Sequence, residues 1–225
     1  RAAGSCRFVR RPRAAKAQTM SARDDILAAL ARLGALSAAP NTALAAPPVP
    51  AIAVKSGDSA YARFTAMVKE SLAELVEAAD AKAAMAEIAA RAPRNTPIAV
   101  SPHPNAASLD WTGAGIEARI GASRDLPAGV SMADAAIAET GSLLFFSGAN
   151  SPVLAHFLPD IHFALVKRST ILPGLNDALA LARARAMPST VNFITGPSRS
   201  GDIEQTLELG AHGPRQLVVI VLMDR

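Results

Sequence analysis

The chain has 225 residues, half of them hydrophobic and 19% charged, a composition typical of a folded globular protein rather than a disordered one. Aromatic residues make up only 4%, which argues against a nucleic-acid binder that stacks bases on aromatic surfaces. Six of the 23 basic residues and none of the acidic ones precede Met20, so the remainder carries 17 basic against 19 acidic residues. A nearly neutral remainder does not indicate the basic surface that a nucleic-acid-binding protein needs to contact phosphates.

Residues 1–19 form a basic segment that we expect to lie outside the fold. Their Arg-rich, acid-free composition is that of a transit peptide, but Met20 is followed at once by a good helix start. We therefore favour Met20 as the initiator and the segment as an upstream extension. It contains Cys6, the one cysteine of the chain. We predict no internal disulfide, no cysteine-based zinc site and no iron–sulfur cluster in this chain.

The first predicted element is a short amphipathic helix from Ser21 to Leu33 that ends at Gly34. Residues 35–57 are rich in proline and alanine and are predicted to be a linker or a surface wrap. The predicted organisation is thus a tail (1–19), a helix with its linker (20–57) and one folded domain (58–225).

From residue 58 onward, helical and strand patterns alternate. The predicted helices are Asp58 to Ser71, residues 80–91, Val153 to Leu158, Leu175 to Met187 and Asp202 to Leu209. The predicted strands are Pro97 to Ser101, Glu117 to Ile120, Ile161 to Val166, Thr190 to Thr195 and Gln216 to Met223. Leu75 to Ala78 is either a strand or a continuation of the preceding helix, and Ala135 to Phe146 reads as strand, tight bend and strand.

This alternation predicts an α/β fold in three layers, with a mainly parallel sheet covered by helices on both faces, because parallel neighbours need crossover connections. The longest apolar run near the end, Leu217 to Met223, has the length of a buried strand and not of a membrane span. We expect a cytoplasmic protein with no membrane span.

The segment from Thr195 to Gly201 follows a predicted strand and precedes a predicted helix. Open α/β sheets keep ligands at such places, because the N–H groups at a helix start attract anions. The guanidinium group of Arg199 adds paired N–H donors that suit a carboxylate or phosphate. The predicted substrate- or anion-binding residues are Thr195, Gly196, Ser198, Arg199 and Ser200.

The same segment also has a purely structural interpretation. Asp202 and Gln205 have the spacing of a capping box, so Asp202 would cap its own helix and compete with an anion for the same N–H groups. The segment is neither a P-loop nor a G-x-G-x-x-G fingerprint. Both interpretations stay open, and we favour ligand contact.

Two further residues are candidates for catalysis. Glu139 lies in an apolar run, where its carboxylate would be either desolvated, with a raised pKa, or held by donors; a role with Thr140 at a hairpin bend fits equally well. His212 could be an acid, a base or a ligand donor, although we favour a hydrogen bond to a carbonyl at a helix end. His156 and His162 are interpreted as structural, and no histidine spacing indicates a metal site, so we predict none.

Several of these segments, taken in order, resemble the lactate-utilisation protein C family, whose domain is called LUD. They are Ala138 to Leu143, Leu158-Pro159 with Ile161-His162, Phe193 to Ser200 with Asp202 to Glu204, and Gly210 with His212 to Pro214. The resemblance is tight from about residue 130 to the end. It implies a fold like that of the sugar-phosphate isomerase and CoA-transferase superfamily. It also implies a role in bacterial oxidation of L-lactate to pyruvate, with iron–sulfur partner subunits that carry the electrons.

The resemblance leaves the chemistry of this chain open. Our first expectation is a non-redox accessory or ligand-binding subunit that binds a small carboxylate- or phosphate-bearing ligand, has no cofactor of its own and leaves the iron–sulfur clusters to its partners. The alternative is a stand-alone acyl- or CoA-transferase-like enzyme with Glu139 as the carboxylate nucleophile, which rests on fold analogy. A small-molecule sensor is a third reading, but no DNA-reading element supports it.

Overall fold

The structure is a computed structural model that describes residues 22–36, 57–185, 188–201 and 207–224. The chain divides into two compact units, Arg1–Pro50 and Ala51–Arg225. In these described segments no helix combines the length and the apolar character needed to cross a membrane.

Helix α1 (Ala22–Leu36) is the described part of the first unit. Its apolar side chains Ile26, Leu27 and Leu30 are exposed. The expected end at Gly34 is wrong by two residues, because the helix continues through the glycine. A glycine inside a helix costs only about 1 kcal/mol relative to alanine, which does not suffice to stop it.

The second unit contains the remaining described elements, numbered in chain order. The helices are α2 (Asp58–Glu70), α3 (Ala81–Arg91), α4 (Pro104–Ala107), α5 (Leu154–Phe157) and α6 (Leu175–Arg183), with a 3₁₀ turn at Arg168–Thr170. The first six strands are β1 (Glu74–Ala78), β2 (Ile98–Val100), β3 (Ala118–Ile120), β4 (Ala128–Met132), β5 (Ala135–Ile137) and β6 (Ser142–Phe146). The others are β7 (Ile161–Lys167), β8 (Ile171–Leu172), β9 (Val191–Ile194), β10 (Arg199–Gly201), β11 (Leu207–Leu209) and β12 (Gln216–Leu222).

The main sheet has six strands in the order β1-β12-β7-β4-β2-β3, and every neighbouring pair is parallel. Its central strands β7 and β12 are buried on both faces, which explains their nearly continuous apolar sequences. The predicted α/β fold with a mainly parallel sheet is therefore confirmed. The open choice at Leu75 to Ala78 is resolved as a strand, β1.

Alternate residues of β7 and β12 enter two different hydrophobic cores. Phe163 and Ile220 pack on one face with residues of α3 and α4, among them Ile88, and with Trp111. On the opposite face, Ala164 and Val219 pack against residues of α2 and of a second sheet. Full burial of a large apolar side chain such as Phe163 stabilises the fold by about 1.5–3 kcal/mol.

The second sheet has four strands in the order β8-β5-β6-β9, with antiparallel pairs β5–β6 and β6–β9. The β5–β6 hairpin confirms the strand, bend and strand expected from Ala135 to Phe146. One face of the hairpin, including Phe145, packs toward the parallel sheet, and the other, including Phe146, packs against α6. Both faces are buried, so the hairpin shows no alternation of apolar and polar residues.

The strand expected at Thr190 to Thr195 is β9, but it pairs with β6 in the second sheet rather than with a parallel neighbour. The helix expected from Asp202 to Leu209 is wrong at its end: Leu207–Leu209 is strand β11, which pairs antiparallel with β10. Residues 202–206, including the expected cap at Asp202, lie outside the described residues. The segment after β9 therefore enters a β-hairpin strand instead of a helix.

The bend of the β5–β6 hairpin depends on Gly141, which has φ +71°. A Cβ there would lie 2.8 Å from both the carbonyl carbon and the Cβ of Met67 in α2. We expect Gly141→Ala to lower the free energy of unfolding by about 2 kcal/mol or more, measured by urea denaturation, because strain and steric conflict add. Gly148→Ala is the matched control, since a Cβ there has no neighbour within 4 Å. Equal stability of the two variants would contradict this account.

Candidate functional site

A cavity of about 270 Å³ lies beside the loop that follows β9. Five of the seven residues predicted from sequence line it: Thr195, Gly196, Ser198, Arg199 and His212. The other lining residues are His156, Phe157, His162, Phe193, Ile194, Gly213, Pro214 and Leu217. We call it the Arg199 cavity.

The Arg199 cavity lies at the amino ends of two central strands of the parallel sheet. His162 and Leu217 are the second residues of β7 and β12, and the two are register partners. From the sequence we instead expected a ligand at the carboxyl end of a parallel strand. The difference arises because β9, which leads into the site, belongs to the antiparallel part of the second sheet.

Backbone hydrogen bonds hold the two chain segments around the cavity together. The N–H of Ser198 donates to the carbonyl of Pro214 at 2.8 Å, and the N–H of Gly210 donates to the carbonyl of Ser198 at 3.0 Å. In the sequence, His212 lies between the two hydrogen-bonded residues Gly210 and Pro214, and it is exposed at the cavity. The element before it is strand β11, so the hydrogen bond to a helix end that we favoured for His212 has no helix to receive it.

Gly196 brings the loop against the end of α2. Its φ is +96°, and a Cβ at this position would lie 2.5 Å from the carbonyl oxygen of Ser71. Only glycine fits so close an approach with a positive φ. Gly196 therefore shapes the cavity wall through its backbone.

A chain of three hydroxyl groups positions Thr195. The Oγ1 of Thr140 lies 2.7 Å from the Oγ of Ser142, which lies 2.6 Å from the Oγ1 of Thr195. Ser142 is buried, so the chain links the hairpin bend to the cavity through the protein interior. These bonds restrict the rotamer of Thr195, whose side chain would otherwise turn freely in solvent.

Glu139 lies outside the residues that line the Arg199 cavity. Its side chain is exposed, and its Oε2 accepts a hydrogen bond of 3.3 Å from the N–H of Leu175, the first residue of α6. This arrangement satisfies a free N–H at a helix start and places a negative charge near the positive end of the helix dipole. Glu139 and Arg199 are thus not brought together at this cavity.

Arg199 is exposed in the first position of β10, opposite Leu209. Among the ion pairs formed by the described side chains, none includes its guanidinium. Its five N–H donors are therefore free of the carboxylates that the structure describes. Ser200, the seventh predicted residue, follows it in β10, and its side chain lies outside the described part of the structure.

Two fully buried histidines, His156 and His162, complete the cavity wall. Their ring centroids are 5.8 Å apart, and Phe145 packs on both, with centroid distances of 4.2 Å and 5.9 Å. The Nε2 of His162 lies 2.6 Å from the Oγ of Ser131, and the Nε2 of His156 lies 3.2 Å from the Oγ of Ser151. In both rings the Nδ1 atom has no hydrogen-bond partner.

Burial keeps both histidines neutral. It lowers the pKa of His156 from the ordinary 6.5 to about 4, although the Asp134 carboxylate opposes the shift. For His162, burial and then the neighbouring His156 lower the pKa to about 3. Neutral imidazoles offer one donor and one acceptor each, and in both rings the Nε2 atom meets a serine hydroxyl.

From the sequence alone, we interpret these histidines as structural. A signal was present, because His162 lies within the apolar run of a predicted buried strand, where a polar ring needs a partner. Ser131 and Ser151 gave no such signal, since small hydroxyl residues are common everywhere. Among the described residues, no group of three or more histidine, cysteine, aspartate or glutamate side chains is placed to hold a metal ion.

Comparison with known proteins identifies the family. The family model described as LUD domain matches residues 61–222. The chain belongs to the LUD-domain family. Its matched region falls within the domain predicted at 58–225, and it includes every residue that lines the Arg199 cavity.

This LUD domain is similar to proteins named lactate utilization protein C. It is 37% identical over 120 residues to the one from Geobacillus kaustophilus, covering 51% of this chain and 50% of that protein. To the one from Bacillus subtilis it is 31% identical over 121 residues, covering 52% and 50%. The chain spans about half the length of the curated relatives that it matches.

A solved structure shares the fold. The crystal structure of a DUF162 family protein from Deinococcus radiodurans superposes with a TM-score of 0.52 and 20% sequence identity. The match covers 72% of this chain and 96% of that one.

The lowered pKa values make stability depend on pH. Between pH 6.5 and about 4, the unfolded chain binds protons at both histidines and the folded protein does not, so the free energy of unfolding decreases as pH falls. We expect a loss of about 2–4 kcal/mol between pH 7 and pH 5, measured by urea denaturation.

Two variants assign this pH dependence to the buried rings. His162→Gln should remove about half of it, since one titrating group is lost. His212→Gln should retain it, because that side chain is exposed. An unfolding free energy that does not change between pH 7 and pH 5 in the unmodified protein would contradict the assignment.

Proposed function

We propose that this LUD domain is a ligand-binding subunit of a lactate-utilisation system, and that it binds a small carboxylate in the Arg199 cavity. The observation that carries the proposal is a guanidinium without a described ion-pair partner at a small cavity whose other wall is neutral. The names of the relatives from Geobacillus and Bacillus supply the metabolic context.

The size and polarity of the cavity support a small anionic ligand. At about 270 Å³ it lies just below the usual range for ligand pockets, roughly 300–1,000 Å³, so only a small ligand fits. Arg199 can bind a carboxylate with two parallel hydrogen bonds, and Thr195 and Ser198 add hydroxyl donors nearby. Apolar side chains such as Leu217 and Ile194 complete the wall and suit a short carbon chain.

The electron chemistry of lactate oxidation is proposed to belong to partner subunits. Conversion of a 2-hydroxy acid to a 2-oxo acid releases two electrons and two protons, which an acceptor must take up. Iron–sulfur clusters are held by several cysteine thiolates, and this chain contains one cysteine. We therefore propose that iron–sulfur subunits act beside this chain and that its own role is to bind ligand.

The transferase alternative receives no support from the cavity. A carboxylate nucleophile must reach the bound acyl group, but Glu139 lies outside the cavity lining and bonds to the N–H of Leu175. A thioester on Glu139, trapped with hydroxylamine after exposure to acyl-CoA, would be the observation in its favour.

We expect Arg199→Ala to weaken binding of L-lactate and pyruvate at least about tenfold, measured by isothermal titration calorimetry with the full chain, because a charge-assisted bidentate contact is lost. Arg199→Lys should lose less, since it keeps the charge but not the fork geometry.

Arg119→Ala is the matched control for this experiment. Arg119 is exposed on β3, at one edge of the parallel sheet, and pairs only with Glu117 among the described ion pairs. Its removal should leave affinity unchanged. Equal affinities for Arg199→Ala and the unmodified protein would remove Arg199 from the site, and no binding of any small carboxylate to the unmodified protein would refute the proposed function.

The proposed assembly predicts which proteins accompany this chain. Affinity-tagged protein isolated from lactate-grown cells of the source organism should bring down iron–sulfur oxidoreductase subunits, identified by mass spectrometry. The same tag on an unrelated protein controls for carry-over. Recovery of the chain alone, at a depth where the subunits are detected in the input, would contradict a stable complex.

A further inference from the structure

A second cavity, of about 310 Å³, lies beside the carboxyl ends of two neighbouring parallel strands. His103 comes shortly after β2 and Asp134 shortly after β4, and these strands are hydrogen-bonded to each other. The lining includes His103, Asp134, Phe146, Ser147, Asn150 and Arg185. We call it the Asp134 cavity. Among the described residues, it shares none of its lining with the Arg199 cavity.

The strand order places the Asp134 cavity where the direction of the chain across the sheet reverses. After β2 the chain moves to β3 at one edge of the sheet, whereas after β4 it moves the other way, to β7 and then to β12. In open α/β sheets such a reversal leaves a crevice at the carboxyl ends of the two strands, and ligands bind there. The topology of this sheet therefore provides a ligand position between β2 and β4.

Polar side chains from four separate segments converge on this cavity and are accessible to a ligand. His103, Asp134 and Ser147 are half-buried, and Asn150 and Arg185 are exposed. They come from the segments after β2, β4, β6 and α6. A cavity at which a few polar groups from distant parts of the chain converge has the character of a binding site.

Arg185 is held in a fixed orientation with one of its edges open. Its Nη1 donates to the Oδ1 of Asp134 at 2.9 Å, and its guanidinium carbon lies 4.6 Å from the ring centroid of Phe146. Asp134 is held in turn, because its Oδ2 accepts from the N–H of Phe146 at 2.9 Å. Among the described residues, the Nε and Nη2 donors of Arg185 have no hydrogen-bond partner. That edge can donate two parallel hydrogen bonds to an oxyanion.

His103 and Ser147 add donors to the same cavity. The Nδ1 of His103 accepts from the N–H of Asn105 at 3.2 Å, which leaves the ring proton on Nε2. The Oγ of Ser147 accepts from the N–H of Thr190 at 2.8 Å, so its hydroxyl proton remains to be donated. Both side chains thus use an acceptor within the protein and keep a donor for a ligand.

We propose that the Asp134 cavity binds the phosphoryl group of a small phosphate monoester. A planar carboxylate has two oxygens, which the open edge of Arg185 alone would satisfy. A phosphoryl group has three terminal oxygens in a tetrahedral arrangement, and it suits donors that come from Arg185, His103 and Ser147 on different chain segments. The cavity is larger than a bare phosphate ion, so a small organic group fits beside it.

The charge of Asp134 limits the affinity of this site without abolishing it. Its carboxylate is offset by Arg185, so an anion meets an oriented set of donors rather than a strong net positive charge. Hydrogen bonds to a charged group remain favourable under these conditions. We therefore expect binding that saturates at millimolar concentrations of the phosphoryl ligand. This inference is independent of the carboxylate site proposed at Arg199.

Titration of the full chain with inorganic phosphate and with methyl phosphate tests the inference. In ¹H–¹⁵N spectra recorded in a phosphate-free buffer, the backbone signals of Ser147, Gly148 and Asn150 should shift and reach saturation with either ligand. Acetate at the same concentrations should leave these signals in place, because it lacks the third oxygen. Equal shifts with acetate would refute the phosphoryl assignment.

Arg185→Ala should weaken binding of both phosphoryl ligands at least about tenfold, because the bidentate contact is lost. Arg185→Lys should retain part of the affinity, since it keeps the charge without the paired donors. Arg183→Ala is the matched control: Arg183 is the exposed last residue of α6 and lies outside the cavity lining. Its removal takes away the same charge and should leave the affinity unchanged.

Arg199→Ala separates this site from the Arg199 cavity, and it should leave the affinity for phosphate unchanged. Phosphate binding that is lost in Arg199→Ala and retained in Arg185→Ala would refute the assignment to the Asp134 cavity. Absence of any saturable shift in the unmodified protein would refute it as well. If Arg185→Ala fails to fold, the shifts of Ser147, Gly148 and Asn150 in the unmodified protein still decide the question. None of these outcomes bears on the binding of a carboxylate by Arg199.

Discussion

The burial of the His162 ring is the constraint on which the rest of the site depends. On its face of β7 the residues that follow, Ala164 and Val166, are apolar and packed against the second sheet. A polar ring in that position must be hydrogen-bonded or it destabilises the fold. Ser131, on the adjacent strand β4, meets that need for one nitrogen only. The parallel sheet thus fixes one nitrogen of the ring, while its Nδ1 atom is buried and has no hydrogen-bond partner.

The second sheet places other residues of the cavity next to the buried His162 ring. Without it, the face of β7 and β12 that carries Leu217 and Val219 would require covering helices, and His162 would lie beneath them. The β5–β6 hairpin places Phe145 against both histidine rings, and β9 delivers the loop from Thr195 to Arg199. A rigid, neutral wall and a cationic loop therefore meet because two sheets pack face to face at this point.

Periodicity predicted the elements of this fold far better than their pairing. The strand, bend and strand at Ala135 to Phe146 were evident because a continuous apolar run is interrupted by Glu139-Thr140-Gly141. The pairing of β9 with β6 joins residues about fifty positions apart, and no local pattern encodes it. The helix expected to reach Leu209 failed at its end because pairing with β10 overrides a short stretch of helical propensity.

For the candidate site, the sequence indicated the loop residues but not the buried histidines. Thr195 to Arg199 stood out because glycine, proline and a cation cluster between two apolar strands. The histidines did not, because their importance comes from neighbours at distant positions: Ser131 for His162, and Phe145 for both rings. Sequence patterns thus indicated the side of the cavity that carries Thr195 and Arg199, which are exposed, and not its buried side.

The position of the cavity at the amino ends of β7 and β12 has an electrostatic consequence. In a parallel sheet the crossover helices begin at the carboxyl edge and end at the amino edge, so the positive N-terminal ends of their dipoles lie on the opposite side. A ligand at the amino edge cannot draw on those helix N-termini for charge, in contrast to the usual phosphate sites of α/β folds. Attraction for an anion must then come from side chains, and among the described residues that line the cavity Arg199 is the one that is permanently cationic. For the carboxylate ligand that we propose, that single charge is then the main source of attraction, and the two buried rings beside it stay uncharged because of the packing around them.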